Sequence, residues 1–235
     1  MSVIDQIPFP FERGRQYALR DLKEFEAMLS ERRSECKELG NALRDAGTAW
    51  WVKLRNDELI PLEYLAAQER LPDATMFCIM PEGSDVDVEL AYDGRTRRLQ
   101  VTTTGPLWTR EDGSTRDWGY DQHLMMRKLN IEGSVSGWGP FTKDGDTIAN
   151  RETALSTEEI VAAFTGGLAR AFEKKARLRT QSCELAVHAV GCRKLPERMF
   201  REIVEGAASR VVLDNFERVH VFDAGDRYYA AYGRY

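Results

Sequence analysis

A chain of 235 residues, 43% hydrophobic and 30% charged with a formal net charge of −5, has the balance of an ordinary soluble globular protein, with room for one large domain or one domain and a helical appendage. The acidic balance excludes a protein that simply coats nucleic acid. No apolar run approaches the roughly 20 residues that span a bilayer, and the opening "MSVIDQIPFPFERGR" lacks the apolar core of a secretory signal, so a cytoplasmic protein with no membrane partner is expected.

Cys36, Cys78, Cys183 and Cys192 are scattered, without C-x-x-C spacing or a His at ligand spacing, and read as reduced, mostly buried thiols rather than a zinc site or disulfide frame. From about Arg15 to Arg55, Leu19, Leu22, Phe25, Leu29, Cys36, Leu39 and Leu43 recur at mostly helical spacing. This predicts one long amphipathic helix, or a helical hairpin broken near Gly40-Asn41, packed on its own domain or serving as a dimerisation arm. "PLEYLAAQERL" predicts a second helix with Pro61 in its first turn, and "TMFCIM" a short strand.

In "SDVDVELAYDGRTRRLQVTTTG", Ser84 to Gly105, apolar Val86, Val88, Leu90 and Tyr92 alternate with Asp85, Asp87 and Glu89. After Asp93-Gly94, Leu99 and Val101 alternate with Gln100 and Thr102. A period of two predicts a β-hairpin with each set on one face. From Pro106 to about Arg151 runs a long polar insert rich in Gly and Trp, with a short helix at "DQHLMMRKLN" and loop and turns over "IEGSVSGWGPFTKDGD". His123, set among polar neighbours, is a substrate-binding candidate, and Trp50-Trp51, Trp108, Trp118 and Trp138 would stack bases if exposed.

"LSTEEIVAAFTGGLARAFEKKARL" predicts a helix to about Leu178, capped by Ser156 or Thr157. "CELAVHAV" reads as a strand, "LPERMFREIVEGAAS" as a helix ending near Gly206, and "ERVHVFDAGDRYYAAY" as two strands. His188 and His220, in apolar runs, are expected as satisfied structural imidazoles. The order predicts an α/β fold, a mixed central β-sheet flanked by helices. Residues 1–57 form an N-terminal helical extension, and 58–235 the main domain with its insert at about 106–151.

Metal-assisted phosphodiester hydrolysis needs oxygen ligands converging on a hard cation and a positive group near the phosphate. An antiparallel pair supplies them when an acid on one strand faces an acid or amide on the next, with a third group two residues on. Asp87 with Gln100 and Thr102 fits that pattern. Glu89 shares the face, and Glu63 on the preceding helix offers another carboxylate. The order "DVELAYDGRTRRLQVT", residues 87–102, with a helix carrying Glu63 before it and "FEKKARL" then a strand after it, resembles the restriction-endonuclease-like, or PD-(D/E)XK, nuclease superfamily from about Leu59 to Tyr232.

The resemblance implies that Asp87 is the principal ligand of Mg²⁺ or Mn²⁺, that Gln100 stands in place of the second acid, and that Thr102 stands in place of the lysine. Gln brings no charge and Thr no ammonium. Glu89 or Glu63 is therefore the expected extra ligand, Lys174 or Lys175 the expected cation, and Arg98 with Lys174 the phosphate-holding groups. Two functions follow. One is a metal-dependent nuclease acting on DNA rather than RNA; the other is a catalytically inactive nuclease-fold module that holds a protein partner or a second copy through its N-terminal helix and insert.

Overall fold

The computed structural model describes residues 3–43, 49–109, 115–117, 141–144, 147–150, 156–178, 182–192, 195–223 and 228–232. In chain order these form a 3₁₀ turn (Val3–Gln6), β1 (Gln16–Ala18), α1 (Leu19–Glu35), α2 (Lys37–Ala42), α3 (Trp50–Leu54), a π turn (Arg55–Leu59) and α4 (Ile60–Gln68). Then come β2 (Met76–Ile79), β3 (Val88–Tyr92), β4 (Arg95–Thr104), and the hairpins β5 (Leu107–Thr109) with β6 (Thr115–Asp117) and β7 (Phe141–Asp144) with β8 (Thr147–Asn150). The chain continues through α5 (Thr157–Ala176), β9 (Cys183–Ala189), α6 (Glu197–Ala208), β10 (Phe216–Phe222) and β11 (Tyr228–Tyr232).

Among the described residues, one seven-stranded mixed sheet has the order β1-β2-β3-β4-β9-β10-β11. The strands β1 to β4 pair antiparallel, β4–β9 and β9–β10 are parallel, and β11 returns antiparallel. Each parallel pair needs a crossover, and α5 and α6 provide the two.

The sheet separates two apolar cores. On one face Leu22, Phe25 and Leu29 of α1 and Leu62 and Leu65 of α4 pack on Phe77, Val88, Leu90, Leu99 and Val101. On the other, Phe164, Leu168 and Phe172 of α5 and Phe200 and Ile203 of α6 cover Leu185, Val187, Val219 and Val221. The apolar stripe of α1 is thus buried in the chain's own core, and residues on both sides of position 57 share it. No helix among the described residues is long and apolar enough to cross a membrane.

Local chemistry accounts for the element ends. Ser156 accepts the Glu159 N–H while Glu159 bonds back to the Ser156 N–H, which fixes the start of α5. Asp93 (φ 49°) and Gly94 (φ 71°) both take the left-handed conformation of the tight turn joining β3 and β4. The N-terminal stretch breaks elsewhere than expected. Gln16–Ala18 is a strand on β2, the helix starts at Leu19 where Asp21 accepts the Ala18 N–H at 2.9 Å, and it breaks at Cys36, which is extended, rather than at Gly40, which lies inside α2. Gly206 does not end α6, which runs to Ala208. Phe141–Asp144, read as loop and turns, forms β7 paired with β8. The expected helix at 121–130 with His123, and Trp118 and Trp138, lie outside the described residues.

Candidate active site

The hairpin ladder between β3 and β4 closes at Val88 opposite Leu99, with one more backbone bond from Asp87 N–H to the Leu99 carbonyl at 2.9 Å. Beyond that point side chains replace the backbone. The Val101 N–H donates to Asp87 Oδ2 at 2.7 Å, and the Asp85 carbonyl accepts from Gln100 Nε2. The alternation breaks here as well: Val86 packs with α5 and α6, whereas Val88 and Leu90 pack with α1 and α4. Val86 is therefore not on the face of Val88, as a period of two predicts. Asp87 sits at the break, its carboxylate in the gap between the parting strands.

Into this gap reaches Lys175, from the last turn of α5. Its ammonium donates to Asp87 Oδ2 at 2.6 Å and to Gln100 Oε1 at 2.8 Å. Gln100 is 2% exposed and Lys175 8%. The amide orientation is settled twice over, because Nε2 must face the Asp85 carbonyl and an ammonium can only donate, so Oε1 points inward. The shared ammonium draws both oxygens to one point in the gap. Asp87 Oδ1 has no hydrogen bond among the described residues. Burying Lys175 is tolerable only because it is paired and bonded: removing one partner of such a pair costs about 3–5 kcal/mol.

Two further carboxylates approach from the π turn. Glu58 is held by Arg13 through both guanidinium nitrogens, at 2.7 and 3.3 Å, and Arg13 also donates to the Met80 carbonyl at 2.7 Å. Met80 N–H in turn donates to the Asp87 carbonyl at 2.9 Å. Burial pushes the Glu58 carboxyl above its usual range against the pull of Arg13, with Asp87 adding to the rise and Lys175 opposing it. The surface of Asp57 stays accessible. Its surroundings nevertheless raise its carboxyl through desolvation, while Lys53, Lys174 and Lys175 lower it and Asp87 raises it.

Of the residues picked from sequence, Asp87, Gln100 and Lys175 therefore meet. Thr102 lies two residues beyond Gln100 on β4, and its hydroxyl has no hydrogen bond among the described residues. Lys174 is exposed beside Lys175. Glu89 and Arg98 face each other across the hairpin at 3.8 Å, both solvated, and neither touches the Asp87–Lys175 pair. Glu63 is elsewhere, beside Glu26, Arg55 and Lys23, where burial and then Glu26 push its carboxyl up to about 7. The acids of this helical run that feel the charges of Asp87 and Lys175 are instead Asp57 and Glu58. Arg13 carried no signal in the sequence, since it meets Glu58 45 residues away and Met80 67 away.

The other polar groups in the core form a separate cluster. Arg97 is gripped by Glu69 and Glu184, Glu184 meets His220 at 2.5 Å, and His220 meets the Tyr228 hydroxyl at 2.7 Å. His220 is satisfied as expected. His188 is not: Nδ1 has no partner, and burial lowers its pKa to about 4, so the ring is neutral between Tyr64 and Phe222. All four cysteines are free. Compared with protein-family models, curated proteins and solved structures, the chain matches none.

Proposed function

We propose that this chain is a metal-dependent nuclease of restriction-endonuclease-like architecture that hydrolyses phosphodiester bonds of DNA. The observation that carries the reading is Lys175: the ammonium that the strand lacks at Thr102 arrives from α5, between Asp87 Oδ2 and Gln100 Oε1. The order α4, β2, β3, β4, α5, β9, with the helix crossing over between two parallel strands, supports the same resemblance.

The donor types, carboxylate and amide oxygens, are those a hard cation takes. Asp87 offers an oxygen without a hydrogen bond among the described residues, Gln100 turns its amide oxygen inward, and Asp57 and Glu58 stand nearby. Mg²⁺ or Mn²⁺ bound by Asp87 and Gln100 would polarise a phosphoryl oxygen and acidify a bound water. Lys175 would then turn its charge to the phosphate oxygens, and the exposed Lys53 and Lys174 would attract the flanking backbone.

A different observation favours a second reading. Among the described residues no three His, Cys, Asp or Glu side chains gather with the geometry to hold a metal ion, and the Lys175 ammonium already fills the space between the two oxygens. On that reading the chain is a nuclease-fold module without chemistry that holds a protein partner.

Incubation of linear, supercoiled and single-stranded DNA, and of RNA, with Mg²⁺ or Mn²⁺ separates the two. Cutting of DNA is expected, reduced about a hundredfold or more in Asp87→Ala, which removes the principal ligand of the cation, and in Lys175→Met, which removes a positive charge that would stabilise the phosphoryl oxygens in the transition state. Absence of cutting by the folded native protein, with every substrate and both metals, would sink the nuclease reading and leave the scaffold.

A further inference from the structure

The sheet is covered unevenly. On the side of Gln100, α5 and α6 close over β9 and β10 and bury Leu185, Val187, Val219 and Val221. Over β2 and β3 that side stays open. Cys78, Glu89 and Arg98 stand in one row across β2, β3 and β4, and Met76, Ala91 and Thr96 in the next. None of these six is buried, whereas Phe77, Leu90 and Leu99, which alternate with them and point the other way, all are. The open strip ends at Asp87, where β3 leaves β4 and Lys175 reaches in from α5.

The helix α5 borders this strip, and its flank carries a line of cations. At 100° per residue, Arg170, Lys174 and the C-cap residue Arg177 fall within an arc of about 60°. Thr165 lies on the opposite flank and packs on Gly206 of α6. The line therefore looks away from α6, which in the strand order β3-β4-β9-β10 is towards β3. All three cations are exposed, and none has an ion pair or hydrogen bond among the described residues. Glu173 borders the line without pairing to it. A helix gathers cations in its last turn to complement its dipole, which accounts for Lys174 and Arg177. Arg170 lies before that turn, where the effect has faded.

We infer that this flank of α5 seats the nucleic acid: Arg170, Lys174 and Arg177 hold phosphates of one strand and lay it along the open strip, past the Asp87–Lys175 pair. The inference rests on the nuclease reading for its ligand, and names the surface that presents a phosphodiester to that site. Charge complementarity singles out the occupant, because a chain of net charge −5 here sets three unpaired cations in line. At 1.5 Å per residue Arg170 and Arg177 stand about 10 Å apart along the axis, the rise of about three base pairs of duplex. Guanidinium forks at both ends suit the paired oxygens of a phosphate.

Binding of a fluorescently labelled DNA duplex is measured with the whole chain in the presence of a chelator, so that nothing is cut, over a series of salt concentrations. Two double variants are compared with the native protein: Arg170→Ala with Arg177→Ala, and Arg198→Ala with Arg201→Ala on the exposed face of α6. Each pair removes the same charge, and alanine suits both helices. The α5 variant is expected to bind about tenfold more weakly and to lower the slope of log affinity against log salt by about 2. The α6 variant should match the native protein in both. With Mn²⁺ added, the α5 variant should need more DNA for half-maximal cutting at an unchanged kcat, the mark of a lost binding contact.

Equal losses in the two variants would make the effect one of net charge and overturn the inference. An α5 variant that binds and cuts like the native protein would also overturn it, while leaving the nuclease reading in place. If the native protein binds duplex through these arginines yet never cuts, the nuclease reading falls and the binding surface stands. A native protein that takes up no duplex overturns the surface as a nucleic-acid seat and leaves its cations to an acidic protein partner. Thermal melting checks the fold of each variant, and should the alanine pair on α5 not fold, Arg170→Gln with Arg177→Gln makes the same comparison.

Discussion

Glu63 sits in a recess between α1 and α4 lined by Lys23, Glu26, Arg33, Arg55 and Tyr64. Arg55 is already committed to Glu26, at 2.6 and 2.5 Å, and Lys23 to Asp73 at 2.5 Å. Among the described residues Glu63 has no cation of its own, and burial, then Glu26, holds its pKa near 7 against an ordinary 4.5. The folded state thus holds a proton that the unfolded chain releases. Its cost is absent below about pH 4.5, grows as the pH rises towards 7, and is complete above that. Glu63→Gln should therefore leave stability unchanged at pH 4 and raise it by on the order of 1–3 kcal/mol at pH 8. Urea midpoints for both proteins at the two pH values check this, and a gain that is the same at both would refute the assignment. The same residue shows where reading by sequence stops. An acid on the helix before the hairpin was foreseeable, but whether it is position 57, 58 or 63 depends on a π turn that a period of 3.6 does not contain. Lys174 and Lys175 were legible only as a pair, because one residue of helix phase decides which is buried.

At the scale of elements, α5 can approach β4 only because of Gly167. A Cβ built there would lie 2.0 Å from the Gly105 carbonyl oxygen, a backbone atom with no freedom to retreat, whereas at Gly166 it would meet Leu107 at an ordinary 3.8 Å. The seat is cemented by Thr104, whose hydroxyl donates to the Gly167 carbonyl at 3.0 Å. Gly167→Ala should cost about 3 kcal/mol by overpacking. Gly166→Ala should be neutral or gain up to about 1 kcal/mol from helix propensity. Equal melting temperatures for the two variants would count against this account of the helix seat. The elements themselves were largely readable: the alternation from Val88 to Leu99, the Asp-Gly turn and the Ser156 cap each carry a local physical signal. The parting of β3 from β4 at Asp87 carries none, since it depends on Lys175, 88 residues away; the break at Cys36 carries none that the helical period shows.

For the whole molecule, the net charge of −5 is spread over a surface on which Lys53 and Lys174 are exposed beside the carboxylates of the site. Any grip on DNA must come from a few local cations working against a repulsive average, so affinity should be modest and fall steeply with salt. Replacing both lysines by alanine should lower the slope of log affinity against log salt by about 2, one for each phosphate deprived of its lysine. Titration of labelled duplex with the Asp87→Ala protein measures this without cleavage, and an unchanged slope would place the DNA elsewhere. An α/β class was readable from the alternation of helical and strand periods. The strand order was not, because it is fixed by how two crossovers, α5 and α6, lay β9 beside β4 and β10 beside β9.

The cluster around Arg97 joins chain segments that synthesis separates. The Tyr228 hydroxyl donates to Glu69 at 3.2 Å across 159 residues. At about 5–20 residues per second, a ribosome delivers that partner roughly 8–30 s after Glu69 has emerged. Among the described residues, Glu69 and the Tyr92 hydroxyl are the partners of Arg97 until Glu184 follows. A nascent chain must therefore wait with an incomplete polar knot, and the last hairpin, β10 with β11, is what ties it.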